Sequence, residues 1–143
     1  MFRSNEQQGV GFQLPLAEAF KAIKWNSDGL VPVIAQQHDS KEVLMLAWMN
    51  QAALEETLRS GHVCYWSRSR QAFWKKGESS GQIQELKHLA IDCDGDALLA
   101  FVDQTGPACH TGRRSCFYWR FNQDTLVIEQ APLIDPKELY PNS

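Results

Sequence analysis

Apolar positions in the first half of the chain alternate between two periods. From Leu14 to Trp25, Leu16, Phe20 and Ile23 recur at helical spacing, which predicts a short amphipathic helix ending near Asn26 and Gly29. Two apolar runs of strand length follow, Leu30 to Ala35 and Val43 to Met49, separated by the polar HDSKE, and they predict a hairpin. Asn50 is placed to cap a second helix running through Arg59, with Ala53, Leu54, Thr57 and Leu58 on its buried side and Gly61 ending it. His62 to Ser67 alternates and is aromatic, as a strand should be.

The period then breaks. Ser67 to Gln82, SRSRQAFWKKGESSGQ, is too polar for a core and is expected to be a functional loop. Further strands are predicted at Gln84 to Cys93, Ala97 to Val102, Ser115 to Phe121 and Thr125 to Glu129. Residues 1–13 are polar without a period and read as a loose N-terminal tail. Residues 130–143 carry three of the six prolines and read as an irregular C-terminal tail. Without internal repeats or a boundary signal, residues 1–143 are expected to form a single α+β domain with a mainly antiparallel sheet and two short helices.

Composition narrows the partner. Hydrophobic content of 43% and charged content of 22% are ordinary for a globular chain, and the net charge of −3 disfavours a surface built to grip nucleic acid. The chain has no run of eighteen apolar residues and no signal-peptide core, so no membrane association and a cytoplasmic location are expected. In that compartment thiols stay reduced, and the four cysteines read as ligands or buried thiols.

The chemistry is concentrated between Ala90 and Phe117. Thiolates of Cys93, Cys109 and Cys116 suit zinc, whereas carboxylates of Asp92, Asp94 and Asp96 suit magnesium or calcium. Cys109 and Cys116 are separated by six residues in a segment opened by Gly106-Pro107, so a loop can bring both sulfurs to one ion. Cys93 would be the third ligand, leaving a position for water as in catalytic zinc sites. The same cysteines also suit three buried small hydrophobes. His110 is either a fourth ligand or an acid/base group, and Cys64 reads as core.

In extended chain the three aspartates face one side and Cys93 the other, so convergence on one ion needs a bend, which Gly95 permits. An EF-hand reading fails because Ala97 occupies the sixth position, where the turn needs Gly. A solvated acidic turn is the plain alternative. Arg68, Arg70, Lys75 and Lys76 lie among Trp66, Phe73 and Trp74, with Glu78 close by and Arg113 and Arg114 inside the thiol loop, a composition that suits a phosphorylated nucleotide.

Three blocks, Tyr65 to Gln82, Asp92 to Leu99 and Gly106 to Phe117, resemble the phosphoribosyl-AMP cyclohydrolases of histidine biosynthesis. The general resemblance covers about residues 26–121 and departs where Phe73 stands in place of a frequent Leu. It implies an intertwined homodimer with Zn²⁺ and Mg²⁺. Zinc would be held by Cys109 and Cys116 of one chain and Cys93 of the other, and magnesium by Asp92, Asp94 and Asp96. The implied reaction opens the adenine ring of phosphoribosyl-AMP at N1–C6. His110 is the preferred acid/base group and Glu78 the reserve; Trp66, Arg68, Arg70, Trp74, Lys75, Lys76, Arg113 and Arg114 are candidates for binding the substrate. With 22 residues after Phe121, the cyclohydrolase activity alone is expected, without the pyrophosphatase domain fused to some relatives. Two alternatives remain. One is a hydrolase like the zinc nucleobase deaminases, although their H-x-E and P-C-x-x-C signature is absent. The other is a non-catalytic, zinc-clamped dimer that binds a nucleotide.

Overall fold

The computed structural model describes residues 2–140. Its centre is a strand pair that the apolar runs foretell: β1 (Val31–Gln37) and β2 (Val43–Met49) form an antiparallel hairpin. Along β1 every second residue is buried, from Val31 through Val33 and Ala35 to Gln37, the period of a strand with one face on the core. The later strands β5 (Gln84–Ile91) and β6 (Leu98–Gln104) pair antiparallel with each other, and β6 runs parallel to β1. The sheet order is therefore β2-β1-β6-β5, mostly antiparallel with one parallel junction.

In chain order α2 (Gln51–Ser60) follows β2. Asn50 Oδ1 accepts the Ala53 N–H at 2.9 Å, and Gly61 ends the helix at φ 75°, a left-handed position that favours glycine. The buried Thr57 hydroxyl donates to the Ala53 carbonyl at 2.8 Å and accepts the Cys64 N–H at 3.0 Å. That hydroxyl joins α2 to β3 (Cys64–Ser67). Leu58, expected on the buried side, is 39% exposed. Tyr65 is fully buried and donates its phenol to Gln84 Oε1 at 2.7 Å, linking β3 to β5.

Several expectations need correction. The polar stretch after β3 is partly regular: β4 (Ala72–Lys75) pairs antiparallel with β3, because the alternating AFWK can stand beside CYWS once the chain turns at 68–71. Only Trp119–Phe121 of the predicted Ser115–Phe121 strand forms β7, which pairs with β8 (Leu126–Ile128). Ser115 and Cys116 are instead held on the β2 backbone, the Ser115 hydroxyl by the Val43 carbonyl at 2.8 Å and the Cys116 N–H by the Leu44 carbonyl at 2.7 Å.

The described residues hold three short α-helices rather than two. α1 (Leu16–Ala22) is shorter than its pattern, with Leu16 exposed and Ile23 buried just beyond its end. α3 (Pro136–Leu139) lies in the expected irregular tail, where Asp135 caps it by accepting the Lys137 N–H and Leu139 is buried. The N-terminal segment is not loose throughout, since Arg3–Asn5 makes a 3-10 turn and Phe2 packs on the core and against Gly95. No helix of the described residues is long and apolar enough to cross a membrane.

Replacing Thr57 by Val keeps the shape but leaves the Cys64 N–H without its acceptor, and should lower unfolding free energy by about 1–3 kcal/mol. Urea denaturation measures this, and an unchanged midpoint would show that the hydroxyl does not join helix to strand.

Candidate active site

The segment 106–116 closes on itself through two backbone bonds, Ala108 N–H to the Arg114 carbonyl at 3.0 Å and Cys109 N–H to the Arg113 carbonyl at 3.1 Å. Gly112 sits at φ 83°, where a β-carbon would collide with the Ile134 carbonyl, and the Leu133 N–H donates back to Gly112 at 2.8 Å. The C-terminal tail thus straps the loop. With Cys116 held on β2, its side chain meets that of Cys109. Although Cys116 offers surface to solvent, the chain packed around the thiol, followed by the neighbouring Cys109, pushes its pKa up to about 12. Thr111 donates its hydroxyl to Cys109 Sγ at 3.1 Å.

Lys76, a candidate for binding the substrate, lines the cleft yet is only 5% exposed, and its ammonium donates to the Ala108 carbonyl at 2.8 Å. Burial lowers its pKa, and Cys116 and Cys109 oppose that shift. The buried Lys76 ammonium thus lies close to both sulfurs and partly opposes the rise at Cys116. Arg113 donates to the Gln130 carbonyl at 2.7 Å and stacks over Tyr118 at 4.0 Å. Arg114 donates to the carbonyls of Gln104 at 2.9 Å and Gly106 at 2.6 Å and pairs with Glu42 at 3.4 Å. Both guanidiniums thus brace the loop. His110 is exposed beside Cys109.

Cys93 does not join the other two thiols. It is exposed in the turn between β5 and β6, and no three His, Cys, Asp or Glu side chains among the described residues converge as a metal cluster. The donor set fits zinc in kind, two soft sulfurs beside a buried cation, and falls short in number within one chain. The aspartates share the Cys93 turn, bent at Gly95 with φ 74°. Asp92 Oδ1 accepts the N–H groups of Asp96 at 2.9 Å and Ala97 at 3.3 Å; the Asp96 N–H bond does most to hold its pKa below the usual range. The hydrogen bond with Asp92 raises that of Asp96, so these two carboxyls meet, while Asp94 lies 3.6 Å from the Arg3 guanidinium. Adjacent carboxylates repel until a proton or a hard cation lies between them, which fits magnesium in kind.

Beside Lys76 opens a cleft of about 390 Å³ whose lining includes Arg70, Trp74, Lys75, Glu78 and Tyr140. Arg70, Trp74, Lys75, Lys76 and Glu78 were legible as candidates, and the structure brings them to one hollow. Trp66 stands edge-on to Phe73, with ring centroids 5.2 Å apart. Arg68 lies over the Trp48 ring at 4.6 Å. Trp48 was absent from the sequence reading because it lies inside the apolar run of β2; its alternation against buried Met49 is the signal that could have placed it outward.

Fold and cleft together define a small α+β enzyme domain built around a two-thiol loop. A sequence model of phosphoribosyl-AMP cyclohydrolase matches residues 45–118. Proteins of that name are similar along nearly the whole chain: one from Alcanivorax borkumensis is 64% identical over 98% of this chain and 99% of its own length. One from Alkalilimnicola ehrlichii is 61% identical over the same shares, and one from Chromohalobacter salexigens is 60% identical over 97% and 95%. The chain belongs to the phosphoribosyl-AMP cyclohydrolase family.

The raised Cys116 pKa has a consequence for stability. The folded metal-free protein holds this proton more tightly than the unfolded chain, whose ordinary value is 9.0, so the contribution is complete below about pH 9 and is lost as pH rises towards 12. Urea midpoints of metal-free protein should fall over that window, and Cys116→Ser should flatten part of the fall. Parallel profiles for the two proteins would contradict the assignment.

Proposed function

We propose that this protein hydrolyses phosphoribosyl-AMP across the N1–C6 bond of its adenine ring, a step of histidine biosynthesis, as a cytoplasmic homodimer holding zinc between subunits. The observation that carries this reading is the Cys109–Cys116 pair beside a basic, aromatic cleft, with Cys93 turned outward and unmatched in its own chain. A second copy would supply the third sulfur. The apolar ribbon of β7 and β8, with Phe121 87% exposed and Trp119, Leu126 and Ile128 also open, supports such pairing, because one chain alone leaves it in water.

Cys109 and Cys116 of one subunit and Cys93 of the other would hold zinc, and Asp92, Asp94 and Asp96 would hold magnesium. When bound, zinc lowers the pKa of water to roughly 7 and so supplies a nucleophile at neutral pH. The chain's own groups do the rest. Arg68, Arg70 and Lys75, none of which has a hydrogen-bond or ion-pair partner among the described side chains, are available to phosphate. Trp66 and Trp74 offer faces to the purine. Lys76, Arg113 and Arg114 hold the loop in place rather than the ligand.

Ribosylation at N1 weakens the aromatic stabilisation of the ring and makes C6 electrophilic, so the position of C6 against the thiol loop decides where water adds. The N1–C6 bond then breaks, and N1 needs a proton as it leaves. His110, exposed beside Cys109, is the donor in this proposal, with Glu78 at the cleft as the reserve.

A spectrophotometric assay with phosphoribosyl-AMP, run with and without a zinc chelator, tests the activity. Cys109→Ser should abolish zinc binding and turnover together, and full activity in metal-analysed variant protein would refute a catalytic zinc. His110→Ala should lower kcat by about 10²-fold or more at near-normal zinc content. Loss of the metal from that variant would make His110 a ligand instead.

A further inference from the structure

The β3–β4 turn separates two arginines that are two residues apart in sequence. Arg70 lines the 390 Å³ cleft and Arg68 does not. A neighbouring hollow of about 570 Å³ is lined by Arg68, Trp48, Trp66 and Leu46, and not by Arg70. Ser67, Ser69 and Trp74 border both hollows and form the wall between them. The turn is tied internally: the Arg70 N–H donates to Ser67 Oγ at 3.2 Å, Gln71 Nε2 donates to the Arg68 carbonyl at 2.7 Å, and Gln71 takes φ 49°. This arrangement sends the two guanidiniums to opposite sides of Trp74.

The environment of Arg68 suits an anion. Its guanidinium carbon lies 4.6 Å from the centre of the Trp48 ring, and a guanidinium resting on an aromatic ring can still present N–H groups to an anion. Neither Arg68 nor Arg70 has a hydrogen-bond or ion-pair partner among the described side chains, in contrast to Arg113 and Arg114.

We propose that this turn is a fork that grips one ligand by two phosphate-bearing arms, one in each hollow. The inference rests on the proposed function, since phosphoribosyl-AMP carries two ribose phosphates on a single purine. The arms can also be assigned. The ribosyl group on N1 is bonded next to C6, the reacting carbon, and must stay in the hollow that shares Lys76 with the thiol loop, where Arg70 and Lys75 meet its phosphate. The nucleotide arm leaves from N9, on the other ring of the purine, and reaches the far hollow, where Arg68 on its Trp48 platform meets the second phosphate. Trp48 is thus a positioning residue for Arg68.

AMP, which carries the second arm alone, is the probe. Titration calorimetry on the purified wild-type protein and three variants reads the assignment, and Arg68, Arg70 and Trp48 are open enough to be changed without unfolding the chain. Arg68→Gln should weaken AMP binding about tenfold or more, as expected for loss of a charged hydrogen bond. Trp48→Leu should follow it in the same direction, and Arg70→Gln should leave AMP affinity within about twofold while raising KM for phosphoribosyl-AMP. A larger AMP effect at Arg70 than at Arg68, equal effects at both, or no AMP binding by the wild type would each overturn the fork. Failure of the wild type to turn over phosphoribosyl-AMP would count against the proposed function instead, because the AMP titration is read without turnover.

Discussion

Two thiols pressed together beside a buried lysine are the constraint on which the rest of the site depends. A desolvated ammonium is costly unless polar contacts compensate it, and Lys76 donates to the Ala108 carbonyl with the two sulfurs and the Trp74 ring close by. The sulfurs can share that position only because the loop is closed behind them by the Ala108–Arg114 and Cys109–Arg113 backbone bonds. The C-terminal strap over Gly112, and the Arg114 bonds to Gln104 and Gly106, hold that closure against β6. Sheet, loop and tail are therefore parts of one device that brings two sulfurs together beside Lys76, which also lines the cleft.

Much of this arrangement was legible in the chain. Alternation along VPVIAQQ and the Asn50 and Gly61 caps marked β1 and α2 because each has a local physical cause, a buried sheet face or a helix end needing partners. The spacing of Cys109 and Cys116 announced a loop able to join them. What escaped was set by contacts distant in sequence. β4 was hidden in a polar stretch because its order comes from pairing with β3. The hydrogen bonds of Lys76, Arg113 and Arg114 were hidden for a similar reason: a basic residue near aromatics reads as a phosphate ligand, and only the fold shows that each also donates to a backbone carbonyl, at Ala108, Gln130 and Gln104. The Trp48 platform lay inside an apolar run and was not singled out.

The division of labour among the cations follows from this. Those tied to carbonyls brace the thiol loop, and those without acceptors among the described residues, Arg68, Arg70 and Lys75, face the two hollows. The three aspartates occupy a separate turn that also displays Cys93, so the proposed metals would each draw on the same β5–β6 turn: magnesium through the aspartates, and zinc through a sulfur offered to a neighbouring subunit. A single chain has most of the chemistry and lacks the third sulfur at the point where the first two meet.

That shortage makes subunit complementation the most direct measurement. Cys93→Ser and Cys109→Ser chains, each inactive alone, are unfolded, mixed and refolded, and the verified heterodimers are assayed for turnover and zinc. In the heterodimer, one of the two sites regains all three sulfurs, two from the Cys93→Ser chain and Cys93 from its partner, and the other site loses two. The account predicts roughly half of wild-type activity with about one zinc per dimer, from the two-fold symmetry of the assembly. Verified heterodimers with neither activity nor zinc would contradict it.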